Sequence, residues 1–253
     1  MKITAIKTKK IVPNGDNLLA VLDAHLPPLR ERTVVVITSK IAAICEGRVV
    51  RIGDAEKADL IAREADYYLP SEESKYNITL AIKNGMLVPT AGIDESNGNG
   101  FYILWPEDPQ RTANEARGHL SRKHSLTHLG VILTDSTTAP LRWGTRGVSI
   151  AASGIKPLND YIGKPDIFGR ELKVTKANIV DGLAAAAVAV MGEGDEQTPL
   201  AVIEDIPFVV FQGRNPTEAE LQELRIAIEE DLYASLLRGA KWKKGGGGQG
   251  NMP

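Results

Sequence analysis

The chain has 253 residues and a mass of 27.3 kDa, which suits one large unit or two small ones around a real core. Lys plus Arg is 30 against 32 Asp plus Glu, a formal net charge of −2, and this near-balance excludes a protein that coats nucleic acid. Hydrophobic content of 43% and charged content of 25% exclude a disordered chain.

Residues 2–8 alternate loosely and predict a strand. Asp16 is placed to cap a helix with Leu18, Leu19, Leu22 and Leu26 on one face, stopped by Pro27-Pro28. Thr33–Thr38 is a β-branched run and reads as a buried strand. Helices are expected over 55–66 and, from the spacing of Ile78 and Ile82, over 74–83. Residues 92–100 are turn-rich, and Phe101–Trp105 is strand-like. A polar amphipathic helix follows at 111–123, then a second buried strand, Gly130–Thr134, ending at Asp135. The stretch 135–147 reads as irregular, with strands near 147–152 and 172–179. Asp181 opens an alanine-rich helix, apolar all round and therefore buried, that stops at Gly192. Strands at 200–203 and 208–211 and a last helix at 216–238 complete the order. Strands and helices mix without regular alternation, so the fold class is α+β, with mixed sheets and helices. The expected organisation is one unit over 1–240, divisible into two subdomains by a Pro/Gly-rich excursion near 153–180, and a disordered tail at 241–253.

The single cysteine, Cys45, excludes an intramolecular disulfide and every multi-cysteine zinc site, and a reducing, cytoplasmic setting is expected. The longest apolar run, Leu183 to Met191, is far short of the about 20 residues of a membrane span. Lys2, Lys7, Lys9 and Lys10 precede no apolar segment, so no signal peptide is expected.

Three acidic clusters stand where elements end in glycine-rich loops: Gly92-Ile93-Asp94-Glu95-Ser96-Asn97, Thr134-Asp135-Ser136, and Gly192-Glu193-Gly194-Asp195-Glu196. Carboxylates beside flexible glycines suit a hard cation, which takes oxygen ligands, while glycine lets backbone N–H groups approach a phosphate. Each aspartate alone reads more readily as a turn cap, and it is the three together that point to a cation. The standard nucleotide motifs fail. Gly163-Lys164 is followed by Pro165, and neither Gly98-Asn99-Gly100 nor Gly192-Glu193-Gly194 completes a dinucleotide fingerprint. His124 and His128, four apart, lack the glutamate of a metalloprotease and read as a solvated helix end. Cys45 has no local histidine and reads as a packed residue.

Taken in order, Glu46-Gly47-Arg48, Ala91-Gly92-Ile93-Asp94-x-Ser96-Asn97, Thr134-Asp135-Ser136, Gly163-Lys164-x-Asp166-x-Phe168-Gly169-Arg170-x-Leu172 and Met191-Gly192-Glu193-Gly194 carry a resemblance. Over about residues 1–212 the sequence resembles the coenzyme F-420:glutamate ligase family, γ-glutamyl ligases acting on a deazaflavin phosphodiester. The resemblance implies an intertwined homodimer of unusual α+β fold. It implies GTP (ATP as the alternative) with two divalent cations, Mg2+ or Mn2+, and K+ as a further ion. It implies glutamate joined through its amine to an acceptor carboxylate. Asp94 and Asp135 match the ligands of one metal. Ser136, where the family usually has threonine, and Glu193 match those of the second. Asp94, Asp135 and Glu193 are thus the expected catalytic set, as metal ligands rather than general bases. Ser39, Lys10, Asn97 and the 191–198 loop with Gly192, Gly194 and Glu196 match nucleotide contacts. The chain departs from the family at Ile44, where a nucleotide-binding lysine is usual, and at Thr137-Thr138-Ala139-Pro140, where Gly-Arg often stands. Lys9-Lys10-Ile11-Val12 replaces the N-terminal Gly-hydrophobic-Pro segment. These departures open two alternatives: a ligase that glutamylates folate, and a non-catalytic nucleotide- or metal-binding homologue.

Overall fold

A computed structural model describes residues 1–247. In chain order the elements begin β1 (Lys2–Ile6), α1 (Leu18–His25), β2 (Thr33–Thr38), α2 (Ser39–Cys45), β3 (Val49–Arg51), α3 (Lys57–Glu64) and β4 (Tyr67–Leu69). The middle of the chain supplies β5 (Leu80–Lys83), β6 (Met86–Pro89), β7 (Phe101–Ile103), α4 (Pro109–His124), β8 (Leu129–Ala139) and β9 (Arg142–Ser153). The last part holds β10 (Leu158–Asp160), β11 (Lys176–Asn178), α5 (Ile179–Met191), β12 (Leu200–Glu204), α6 (Glu218–Gln222), α7 (Ala234–Gly239) and β13 (Lys243–Lys244).

The central sheet runs β1-β12-β2-β8-β9, with β2 and β8 parallel and the other neighbours antiparallel. β2 shows why it sits in the middle. Its alternation buries Val35 and Ile37 against α1, α2 and α4, and Val34 and Val36 against α5. A smaller sheet, β13-β4-β5-β6, packs with α3 around Leu60, Ile61, Ala81, Ile93 and Leu104. The architecture is a mixed α+β one.

Several elements differ from the sequence reading. Asn17, not Asp16, caps α1, and Asp16 pairs with Lys9 instead. The helix expected at 74–83 is replaced by β5, because Asn84 and Gly85 both take positive φ (52° and 72°) and close a two-residue hairpin to β6. The irregular stretch 135–147 is the distal half of the long β8–β9 hairpin. Its residues are largely exposed, so no inside-outside alternation marks it as strand. Asn178, not Asp181, caps α5. At 208–211 only a bridge between Ile155 and Phe211 forms. The expected 216–238 helix breaks into α6, a 3₁₀ turn at Ile228–Glu230 and α7, none of which buries a residue. The expected disordered tail is ordered in part: Lys243–Lys244 pairs with β4, and Gly245, Gly246 and Gly247 hydrogen-bond to the backbone of 62–66. The rest of that tail, 248–253, lies outside the described residues. No helix of the described residues is long and apolar enough to cross a membrane.

Candidate active site

Asp135 and Ser136 lie on β8, just past a bulge that shifts the register with β9 between Leu133 and Thr134. Bulges re-aim side chains, and strand alternation then turns these neighbours to opposite faces. On one face Asp135 receives the Trp105 indole N–H, 2.5 Å from Oδ2. On the other, the Ser136 hydroxyl meets both oxygens of Glu193 at 2.7 and 2.9 Å. The Thr145 hydroxyl, on β9, adds a contact to Glu193 at 3.2 Å. Glu193 is delivered by the end of α5, where Gly192 takes φ 83° and stops the helix.

Asp94 comes from the loop before β7, pinned by paired backbone bonds between Asp94 and Ile103 (3.0 and 2.7 Å). Its carboxylate accepts from the Ser96 N–H (2.9 Å) and hydroxyl (2.7 Å). Lys40, in the first turn of α2, places its ammonium 2.7 Å from Asp94 Oδ2 and also donates to Ser96 O and Oγ. Asn97 then joins the two loops, its side-chain amide donating to Gly194 O at 2.9 Å. Segments around 40, 94, 135 and 193 thus converge: Ser136 is hydrogen-bonded to Glu193, and Asp94 lies close enough for its charge to act on Asp135.

The electrostatics follow. Burial pushes the Asp94 carboxyl up, but Lys40 and the Ser96 donors override it and hold the group below its ordinary range. Burial pushes Asp135 up as well, and there the Trp105 and Ser136 hydrogen bonds do not compensate, while the negative charge of Asp94 adds to the rise. Among the described residues no three His, Cys, Asp or Glu side chains stand together as a metal cluster. The donor chemistry nevertheless fits hard cations, since every group is an oxygen and the aspartates need positive charge between them. Lys40 is the cation that Asp94 meets here.

The other expected residues are placed as follows. Glu196 is exposed and folds back on its own loop, accepting from Gly194 N at 2.8 Å, and a Cβ on Gly192 would lie 2.4 Å from its carboxyl carbon. Ser39 is buried at the start of α2, beside Lys40. Lys10 is exposed after β1. Ile44 is buried with Ala43 and Ile103. His128 pairs with Glu31, while His124 accepts from Leu29 N, so the two do not form a joint site. Cys45 is a free thiol whose pKa burial pushes up to about 11, which makes it inert.

Behind Trp105 stands a charged support. Glu64 takes Arg48 at 2.6 Å and the buried Lys83 at 2.9 Å, and Arg48 also donates to the Trp105 carbonyl at 3.1 Å. Burial alone would raise Glu64, but Lys83 and Arg48 override it and hold its carboxyl low. Burial lowers Lys83 against the pull of Glu64. In the same motif, Glu46 accepts from Thr112 Oγ1 (2.5 Å) and Glu107 N (3.2 Å), tying α2 to the start of α4. Glu46-Gly47-Arg48 is therefore a brace for the site.

The profile of the family described as F420-0:gamma-glutamyl ligase matches residues 5–205. The chain belongs to this family. It is an enzyme, a ligase of the γ-glutamyl type. It is 35% identical over 232 residues to the coenzyme F420:L-glutamate ligase of Methanopyrus kandleri, covering 85% of this chain and 88% of that one. The enzymes of the same description from Methanosarcina mazei and Methanococcus maripaludis are 34% and 32% identical over 249 residues, each covering 92% of this chain and 97% of the relative. The non-catalytic alternative is thereby set aside. Sequence reasoning missed Lys40, Trp105 and Thr145 as members of the site. Only the position of Lys40, two residues past the end of β2, offered a signal.

Proposed function

We propose that this ligase joins L-glutamate through its amine to a carboxylate of a coenzyme F-420-0 type acceptor, driven by GTP with two Mg2+ or Mn2+ ions and K+. The observation that carries the reading is the approach of three acidic segments, from around 94, 135 and 193, to neighbouring positions of β8, with Asn97 bonded to Gly194 O, Ser136 bonded to Glu193, and the charge of Asp94 raising Asp135. The names of the relatives supply the acceptor and the amino acid.

Asp94 and Asp135 would hold one cation and Ser136 and Glu193 the other. When bound, the cations supply charge to offset that developing on the transferred phosphoryl oxygens. Asn97 and the 192–196 loop cradle the triphosphate, Gly192 and Gly194 keeping backbone N–H groups open to it. Glu196, which now fills that cradle, swings away to admit nucleotide. Lys40 leaves Asp94 and turns to the phosphates. The acceptor carboxylate attacks the γ-phosphorus, giving an acyl phosphate and GDP. The glutamate amine then attacks the acyl carbon and expels phosphate. Amide formation from a free carboxylate is uphill in water, so the nucleotide is a stoichiometric reactant.

The enzyme works as a homodimer in the reducing cytoplasm. Support for the dimer lies in two protruding arms with bare apolar side chains. Leu141 and Trp143 are at the β8–β9 tip, and Ile167, Phe168 and Val174 are in the 160–175 excursion. The test is to incubate purified protein with glutamate, deazaflavin or folate acceptors, and GTP or ATP. Mass gain by one glutamate residue on the deazaflavin acceptor with GTP is expected, and gain on folate alone would reassign the acceptor. Asp135→Ala should abolish nucleotide hydrolysis and ligation with Tm little changed; full activity would remove the metal-ligand role.

A further inference from the structure

Trp105 is the largest side chain buried to within 2% exposure, yet its one polar atom is spent on a carboxylate at the edge of the reacting centre. The surroundings leave the indole no second position. Gly92, at φ 74°, lies so close that a Cβ there would be 2.0 Å from Nε1. The Lys83 ammonium sits 5.4 Å from the ring centroid, a cation–π contact that withdraws density from the ring. Arg48, held by Glu64, fixes the Trp105 carbonyl. The Ser136 N–H donates to the same Asp135 carboxylate.

We propose that Trp105 is a positioning residue for Asp135. Its indole N–H clamps Oδ2, so the carboxylate keeps a single rotamer with its remaining lone pairs turned toward Asp94 and the cation. The proposal rests on Asp135 being a metal ligand. Partners that orient a ligand in this way are commonly worth about 10- to 100-fold in metal affinity. The Lys83–Glu64–Arg48 group would then act at a distance, by fixing the ring rather than touching substrate.

The test uses Mn2+ binding to the full-length protein, followed by electron paramagnetic resonance, on wild type, Trp105→Phe, Asp135→Asn and the double variant. Trp105→Phe keeps an aromatic ring under Lys83 and removes the donor together with part of the indole's buried volume. Mn2+ affinity should fall about 10-fold or more, with kcat falling and the KM for glutamate unmoved. In the Asp135→Asn background Trp105→Phe should add no further loss, whereas a residue that merely fills space would add its full effect. Affinity in Trp105→Phe within twofold of wild type, with Asp135→Asn impaired, would overturn the positioning role alone. Unchanged binding in Asp135→Asn would overturn the ligand assignment and this proposal with it. Should Trp105→Phe fail to fold, the wild type still decides. The slowest-exchanging of its three indole N–H resonances, that of buried Trp105, should shift on Mg2+ titration and saturate with the binding curve. An unmoved resonance would contradict the clamp.

Discussion

Glu64 shows how a single residue can hold a site it does not touch. It lies between Arg48 and Lys83, with side-chain exposures of 12% for Glu64 and 8% for Lys83. Removing one partner of a buried pair strands the other charge, at roughly 3–5 kcal/mol. Glu64→Gln should therefore lower stability by about that amount in urea unfolding, and an effect below about 1 kcal/mol would show that the group is not a buried network. The pH dependence has a definite sign. The folded-state carboxyl titrates below its ordinary 4.5, so the stabilisation is complete above that value and is lost as pH falls through the lower folded pKa. The gap between wild type and Glu64→Gln should narrow on acidification in that range; a gap that widens would contradict the assignment. Asp94 and Glu193 were legible in the sequence because carboxylates close to glycine at element ends are a local pattern, and Asp135 because it follows an apolar β-branched run. Trp105, Thr145 and Lys40 were not, because each becomes a site residue only through a partner 30 or more positions away.

The elements that were legible are those with strong local signals: β2 from its β-branched run, α5 from its alanines, and α4 from its amphipathic pattern, although its start at Asp108 and Pro109 reads as loop. The hairpin at 80–89 was missed because two isoleucines at helical spacing outweighed Asn84-Gly85, the stronger signal. The 135–147 region was missed because its two strands protrude and cover no core. The last helix was over-extended because nothing packs on α6 or α7 to sustain it. At this scale α5 matters most, since its end carries Glu193. It seats against β9 at Gly147, where a Cβ would lie 2.4 Å from Ala184 O. Gly147→Ala should push α5 outward, costing about 1–3 kcal/mol of stability and reducing kcat as Glu193 leaves Ser136. Wild-type kcat and Tm in that variant would show that the helix seat tolerates displacement. By contrast, Gly85→Ala, at positive φ but with open space around it, should cost about 1–2 kcal/mol and leave kcat unchanged; a lost kcat would tie that hairpin to the site.

Across the whole molecule, a two-faced sheet fixes β8 in its interior, helices on both sides bring in the remaining segments, and two arms extend with bare apolar tips. That division explains why the sequence conveyed the α+β class and an excursion near 153–180 but not the β8–β9 arm, whose largely exposed residues carry no inside-outside alternation. The proposed dimer should sediment at twice 27.3 kDa. Arginine in place of both Trp143 and Phe168 should shift it to the single-chain mass; an unshifted dimer would place the interface elsewhere. The reading as a whole turns on carboxylate activation by phosphoryl transfer. It is tested most directly by running the reaction with acceptor whose carboxylate carries 18O in both oxygens. One labelled oxygen should appear in the released phosphate for each amide formed. Phosphate free of label, with amide still accumulating, would contradict the mechanism.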